Sequence, residues 1–202
     1  MSERIVLVRH GETDINAKGK THNYEDNEVL NDTGVEQMIK VARRLKGFMP
    51  LFLYCSTEER ANHSAEIISK ELGIFVETIE GMQERNWGEM PGKPWPEIKS
   101  VLDTMTMDER RKFVPEGGES WVQFEKRLIA GVEWVLKENP DQTIVIVTHG
   151  GVITVLMPYL LNGGFEEALK PEHMFGNASV TVFGHNKDRF TQALINDTSH
   201  LK

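Results

Sequence analysis

A single cysteine, Cys55, in 202 residues leaves no partner for an internal disulfide. That suits a reducing compartment, where structural bridges are rare. Long apolar runs are missing too: no stretch approaches the roughly 20 residues a membrane-spanning helix needs. After Met1-Ser2-Glu3-Arg4, only the four apolar residues Ile5 to Val8 precede Arg9, too few for a signal-peptide core. The expectation is a soluble, cytoplasmic protein with no membrane partner. A basic excess is also lacking. Lys and Arg number 23 against 31 Asp and Glu, a formal net charge of −8. General nucleic-acid binding needs a broad basic footprint, so that class is excluded. An anionic small molecule is not excluded, because a few Arg and His can set the potential inside a cleft. There is no internal repeat, low-complexity tract or Gly/Ser linker, and one domain over residues 1–202 is expected.

What is present alternates between two periodicities. Ile5–Val8, Leu51–Cys55 and the β-branched Thr143–Thr148 are short continuous apolar runs, as in buried strands. Val180–Phe183 and Phe190–Leu194 read as two final strands joined around Gly184–Asp188. Thr33-Gly34-Val35-Glu36 has capping-box spacing and leads into Val35, Met38, Ile39, Ala42 and Leu45 on one helical face. Ser56-Thr57-Glu58-Glu59 offers a second box before a helix through Ala61, Ala65, Ile68 and Leu72. Ser120 with Gln123 opens a long helix through Leu136, and Gly150-Gly151 opens an apolar helix ending near Leu161. Residues 80–119, rich in Gly and Pro, read as an irregular lid-like insertion with one or two short helices. Strands alternating with helices predict a three-layer α/β/α sandwich with a mostly parallel central sheet.

Three polar groups follow three of these strands. Arg9-His10 follows the first, Arg60 lies just beyond the second, and His149-Gly150 follows the Thr143 strand. Ligands of open α/β sheets bind beyond the carboxyl ends of strands, so the three groups should share one edge. Two guanidinium forks suit phosphate oxygens, and a helix starting at Gly150 adds its amino-terminal dipole. A histidine nucleophile splits one hard displacement into two easier ones.

These residues carry a resemblance. Leu7-Val8-Arg9-His10-Gly11-Glu12-Thr13 with Asn16 resembles the opening motif of the histidine phosphatase (phosphoglycerate mutase-like) superfamily. In order along the chain, further segments resemble it: Leu30 with Thr33-Gly34 and Gln37, Ser56 with Arg60-Ala61, Met82-Gln83-Glu84 with Gly88, Gly117-Gly118-Glu119-Ser120, Val147-Thr148-His149-Gly150-Gly151 and Asn177-Ala178-Ser179-Val180. The resemblance implies phosphorylation of His10, with Arg9, Arg60 and His149 holding the phosphoryl group. It places Asn16 and Gly150 as further substrate contacts and Glu84 as proton donor, with a small phosphate ester as substrate and neither metal nor cofactor. An acid of that kind needs a raised pKa, and Met82, Trp87 and Met90 could supply apolar surroundings.

Other assignments of the same residues compete. His10, Glu12 and Asp14 alternate as metal ligands could, but Arg9 beside them opposes a cation. A cysteine phosphatase places five residues between cysteine and arginine, whereas four separate Cys55 from Arg60, and Cys55 reads as an inert core thiol. His22, His63, His173, His185 and His200 default to structural roles. Where the family has Gly-Arg and then Gln-Gly, this chain has Gly19-Lys20-Thr21-His22-Asn23, so Lys20 and His22 are also candidate substrate contacts. Lysine lacks a bidentate grip, so the leaving group is open. The four tryptophans read as packing. Arg110-Arg111 reads as a solvated helix end, although family mutases carry an arginine pair there that binds a carboxylate. Only 30 residues separate Glu84 from Pro115, shorter than in such mutases, which favours a phosphatase over a cofactor-dependent phosphoglycerate mutase. Retention of the whole set speaks against a non-catalytic, phosphate-binding regulatory protein.

Overall fold

The structure, a computed structural model, describes residues 4–22, 26–90, 92–164, 175–186 and 189–202. Six strands form one sheet: β1 (Arg4–Arg9), β2 (Phe52–Ser56), β3 (Val76–Ile79), β4 (Thr143–Thr148), β5 (Val180–Asn186) and β6 (Arg189–Asp197). Their order is β3-β2-β4-β1-β5-β6. The pairs β3–β2, β2–β4 and β4–β1 are parallel, and β1–β5 and β5–β6 are antiparallel. Strands β1 and β4 sit centrally, with both faces covered. That is why Ile5–Val8 and Ile144–Val147 are unbroken apolar runs and not alternating ones.

The helices are α1 (Asp14–Ala17), α2 (Asp32–Leu45), α3 (Glu59–Leu72), α4 (Trp95–Leu102), α5 (Met107–Lys112), α6 (Trp121–Glu138) and α7 (Gly150–Leu160). Successive strand residues point to opposite faces, so β1 feeds two cores. Val6 and Val8 pack with Met38, Val41 and Ile68 of α2 and α3. Ile5 and Leu7 pack with Phe124, Leu128, Val152 and Leu156 of α6 and α7. This is the three-layer sandwich expected. The insertion contributes to the second core through Trp87, Ile98 and Leu102, all buried. No helix among the described residues is long and apolar enough to cross a membrane.

Two capping expectations are corrected. Helix α2 is capped by Asn31, whose side chain accepts from Gly34 N at 2.8 Å, two residues ahead of the Thr33 box. Gly34 lies so close to the β1–α1 connection that a Cβ there would meet Glu12 O at 2.1 Å. The Ser56 box is not formed either. Ser56 ends β2, and Glu58 takes the N-cap position of α3 without a side-chain cap bond. The Ser120–Gln123 box does form, in both directions. Strand β3 was not anticipated. Its four residues, only one of them buried, are too few to show a period. His173 and parts of the β5–β6 connection lie outside the described residues, as does the His185 side chain.

Candidate active site

The parallel pairing of β1 with β4 puts Arg9 opposite Thr148, and His10 N donates to Thr148 O at 2.9 Å. The next residues along, His10 and His149, therefore leave the sheet side by side, with ring centroids 5.2 Å apart. Strand β2, on the other side of β4, delivers Ser56, Glu58 and Arg60 to the same edge. The expected gathering of His10, Arg9, Arg60 and His149 is what the sheet produces.

His10 is 2% exposed. Its Nδ1 lies 2.8 Å from Gly11 O. A carbonyl can only accept, so the proton sits on Nδ1 and Nε2 keeps its lone pair. Burial, followed by the charges of Arg60, His149 and Arg9, holds the ring well below its usual 6.5, so it is neutral near pH 7. Gly11 N is held by Ser64 Oγ of α3 at 3.1 Å, which fixes the carbonyl's peptide neighbour.

Both arginines are committed on one side and free on the other. Arg9 donates from Nη1 to Phe175 O at 2.6 Å, and Arg60 from Nη2 to Glu58 Oε1 at 2.8 Å. Among the described residues, Arg9 Nε, Arg60 Nε and Nη1, and His149 Nδ1 are buried without a hydrogen-bond partner. Burial lowers Arg9 to about 10, opposed by Glu84, and it stays cationic at neutral pH. Arg60 is 1% exposed and pairs with Glu58.

Glu84 reaches the cluster from the segment after β3. Arg127 of α6 clamps that segment by donating to the carbonyls of Gly81, Gln83 and Glu84. Thr148 Oγ1 also donates to Met82 O. The apolar surroundings expected for the carboxyl are not what it meets. Oε1 accepts from Arg85 N and Oε2 from Gly151 N, each at 2.9 Å. The carboxylate thus occupies the amino terminus of α7, where an anion is favoured. Met82 and Trp87 are buried, but in the core beneath.

His22 is not peripheral. Its ring meets that of His10 edge-on at 5.8 Å, and Nε2 lies within reach of Thr13 Oγ1 at 2.9 Å and Glu28 Oε2 at 3.0 Å. Burial, then Arg60 and His149, lowers it to about 3. Asn16 Oδ1 accepts from Asn177 Nδ2, which also reaches His10 O and Gly11 O. Lys20 is exposed, and its backbone bridges to Pro94. Glu12 is turned to Asn31 and Asp14 is exposed on α1, so neither joins His10. Cys55 is buried in β2, its thiol pushed up to about 12 by burial and Glu66. Arg111 pairs with Glu125 and Arg110 faces Asp103 at 3.6 Å, which gives the presumed solvated pair partners. Trp87 and Trp121 pack edge to face, whereas Trp134 lies 43% exposed against Tyr54.

Four residues that contact the site were given no role there by the sequence reasoning: Glu58, Ser64, Arg127 and Asn177, the last although it opens a segment that resembles the family. Each acts through a long-range contact that has no local spacing signature.

The sequence model of the histidine phosphatase superfamily (branch 1) matches residues 5–198. The chain belongs to that superfamily. It is 33% identical to phosphoglycerate mutase-like protein 4 of Arabidopsis thaliana, over 98% of this chain and 86% of that protein. It is 31% identical to the metal-independent phosphoserine phosphatase of Arabidopsis thaliana, over 98% and 82%. Its fold superposes on a mutant phosphoserine phosphatase of Entamoeba histolytica in complex with phosphoserine with a TM-score of 0.84 at 27% identity, covering 99% of this chain and 100% of that one.

Proposed function

We propose that this superfamily member is a metal-independent phosphatase that hydrolyses small phosphate monoesters through a phosphohistidine on His10. The observation that carries the reading is the Nδ1–Gly11 O bond, which holds a neutral ring with Nε2 as nucleophile beside the buried Arg60 and the half-buried Arg9. In the first step Nε2 attacks phosphorus and the ester P–O bond breaks, while Glu84 gives its proton to the departing oxygen. The phosphorylated ring keeps its Nδ1–H on Gly11 O, which offsets the positive charge gained. In the second step water attacks phosphorus, Glu84 takes the water's proton, the P–N bond breaks and inorganic phosphate leaves. Arg9, Arg60 and His149 serve the phosphoryl oxygens, and electrostatic stabilisation of that kind supplies much of a rate enhancement. Asn16, the Gly150 backbone and His22 contribute further contacts, and Lys20 is exposed.

The relatives support small phosphate esters as substrates, phosphoserine among them. Water is the preferred acceptor over a second alcohol because the insertion is short. The test is a panel of phosphoserine, 3-phosphoglycerate, sugar phosphates, nucleotides and an aryl phosphate, with and without EDTA. Phosphate release unaffected by EDTA is expected, together with acid-labile, alkali-stable labelling that His10→Ala abolishes. Equal labelling of the His10→Ala variant sinks the reading, and interconversion of phosphoglycerates without phosphate release points to a mutase.

A further inference from the structure

Glu58 stands at the N-cap of α3, yet its side chain accepts no capping bond from the helix backbone. Its carboxylate crosses instead to three other groups. Oε2 lies 2.7 Å from His149 Nε2 and accepts from Glu84 N at 2.6 Å, while Oε1 accepts from Arg60 Nη2 at 2.8 Å. The side chain is 7% exposed. Burial alone works against its charge, but His149, Arg60 and the Glu84 amide overcome this and hold the carboxyl well below the usual carboxylate range. A helix cap given up for three interactions at the catalytic edge is a local rule broken where function sits. Ser56 Oγ lies 2.9 Å from the same His149 nitrogen, so that N–H points into a pair of acceptors.

We infer that Glu58 is a positioning residue for phosphoryl transfer: by accepting Nε2–H of His149 it aims the ring and balances the imidazolium form, in which Nδ1–H donates to the phosphoryl oxygens. A carboxylate behind an imidazole orients the ring and balances positive charge that develops on it, as in other carboxylate–histidine pairs. The alternative is a buried ion pair that serves the fold alone.

The inference rests on the phosphohistidine reading, and the test keeps the two apart. Glu58→Gln preserves the side chain's size and removes its charge. The expected result is a fall in kcat of about 100-fold, in the range seen when partners behind a ligating histidine are removed. KM should stay within about twofold, and affinity for vanadate, which mimics the five-coordinate phosphoryl group, should fall in step with kcat/KM. In a His149→Asn background the same substitution should cost less than about threefold more, because both changes disable one unit. A kcat within about threefold of wild type overturns the inference, and so does an undiminished loss in the His149→Asn background. If Glu58→Gln does not fold, the same cycle is run with Glu58→Asp, which keeps the charge and withdraws it from His149. Activity surviving in His10→Ala would defeat the phosphohistidine reading. Activity surviving only in the Glu58 variants would defeat this inference alone.

Discussion

His10 and His149 occupy matching places on neighbouring parallel strands. Each follows a strand end, each precedes a glycine, and each is almost fully buried. They are nevertheless held in opposite ways. His10 gives its Nδ1 proton to the carbonyl of the next residue, a partner supplied within its own turn. His149 directs Nε2 at a carboxylate and a hydroxyl from the β2–α3 connection, 91 and 93 residues away in sequence. A carbonyl orients a ring without adding charge; a carboxylate does both. The first arrangement suits a neutral nucleophile, the second a ring that accompanies charge on phosphorus. Position on the sheet places a histidine, and the neighbour behind it decides its chemistry.

Removing each ring in turn breaks the comparison most severely. His10→Asn should lose turnover by about 10⁵-fold or more, as expected for a missing nucleophile, and should lose all phosphoenzyme label. His149→Asn should lose about 10²- to 10³-fold, the cost of one donor to a charged transition state, while still accumulating label slowly. Rapid-quench labelling of the two variants distinguishes them, and loss of label in both would erase the division of roles.

The glycines after His149 sharpen the contrast on a smaller scale. A Cβ at Gly151 would lie 2.2 Å from Glu84 Oε1, whereas one at Gly150 would meet Arg9 Nε at an ordinary 3.5 Å. Gly151→Ala should therefore push the carboxylate off the α7 terminus and lower kcat by about 100-fold, as misplacements near 1 Å do. Gly150→Ala should stay within about threefold. Steady-state kinetics on an aryl phosphate would lose this effect, since a good leaving group needs no proton, so an alkyl phosphate is the substrate to use.

The strand-ends argument made the cluster legible because β1, β2 and β4 are strongly apolar or β-branched, and because parallel strands share a carboxyl edge. What it could not see is where side chains go afterwards. Ser56-Thr57-Glu58-Glu59 spells a helix cap, yet Ser56 and Glu58 turn to His149, a choice made by tertiary neighbours and not by spacing. The backbone N–H groups that receive Glu84 have no side-chain identity to read, so apolar residues nearby in sequence suggested the wrong environment. Arg127 resembles any helix-surface cation until its three carbonyl acceptors are found.

The two ways of holding a charge also predict two windows of acid sensitivity. Folding keeps His10 neutral at pH values where an unfolded histidine takes up a proton. Below about pH 6.5 the unfolded state therefore binds more protons, and stability declines as pH falls. His22, lowered to about 3, adds to the same decline. Glu58 behaves in the other sense. Its folded carboxyl is held below the ordinary range, so its contribution is complete above about pH 4.3 and is lost as pH falls below that. Thermal unfolding followed from pH 7 to 3 should show Tm falling first through the histidine window and then through the carboxylate window, each group adding at most about 1.4 kcal/mol per pH unit. His10→Asn should reduce the slope from about pH 6.5 downward, and Glu58→Gln only the part below about pH 4.3. If His10→Asn leaves the slope between pH 6.5 and 5 unchanged, the ring is not held neutral by the fold, and the distinction between the two histidines loses its electrostatic basis.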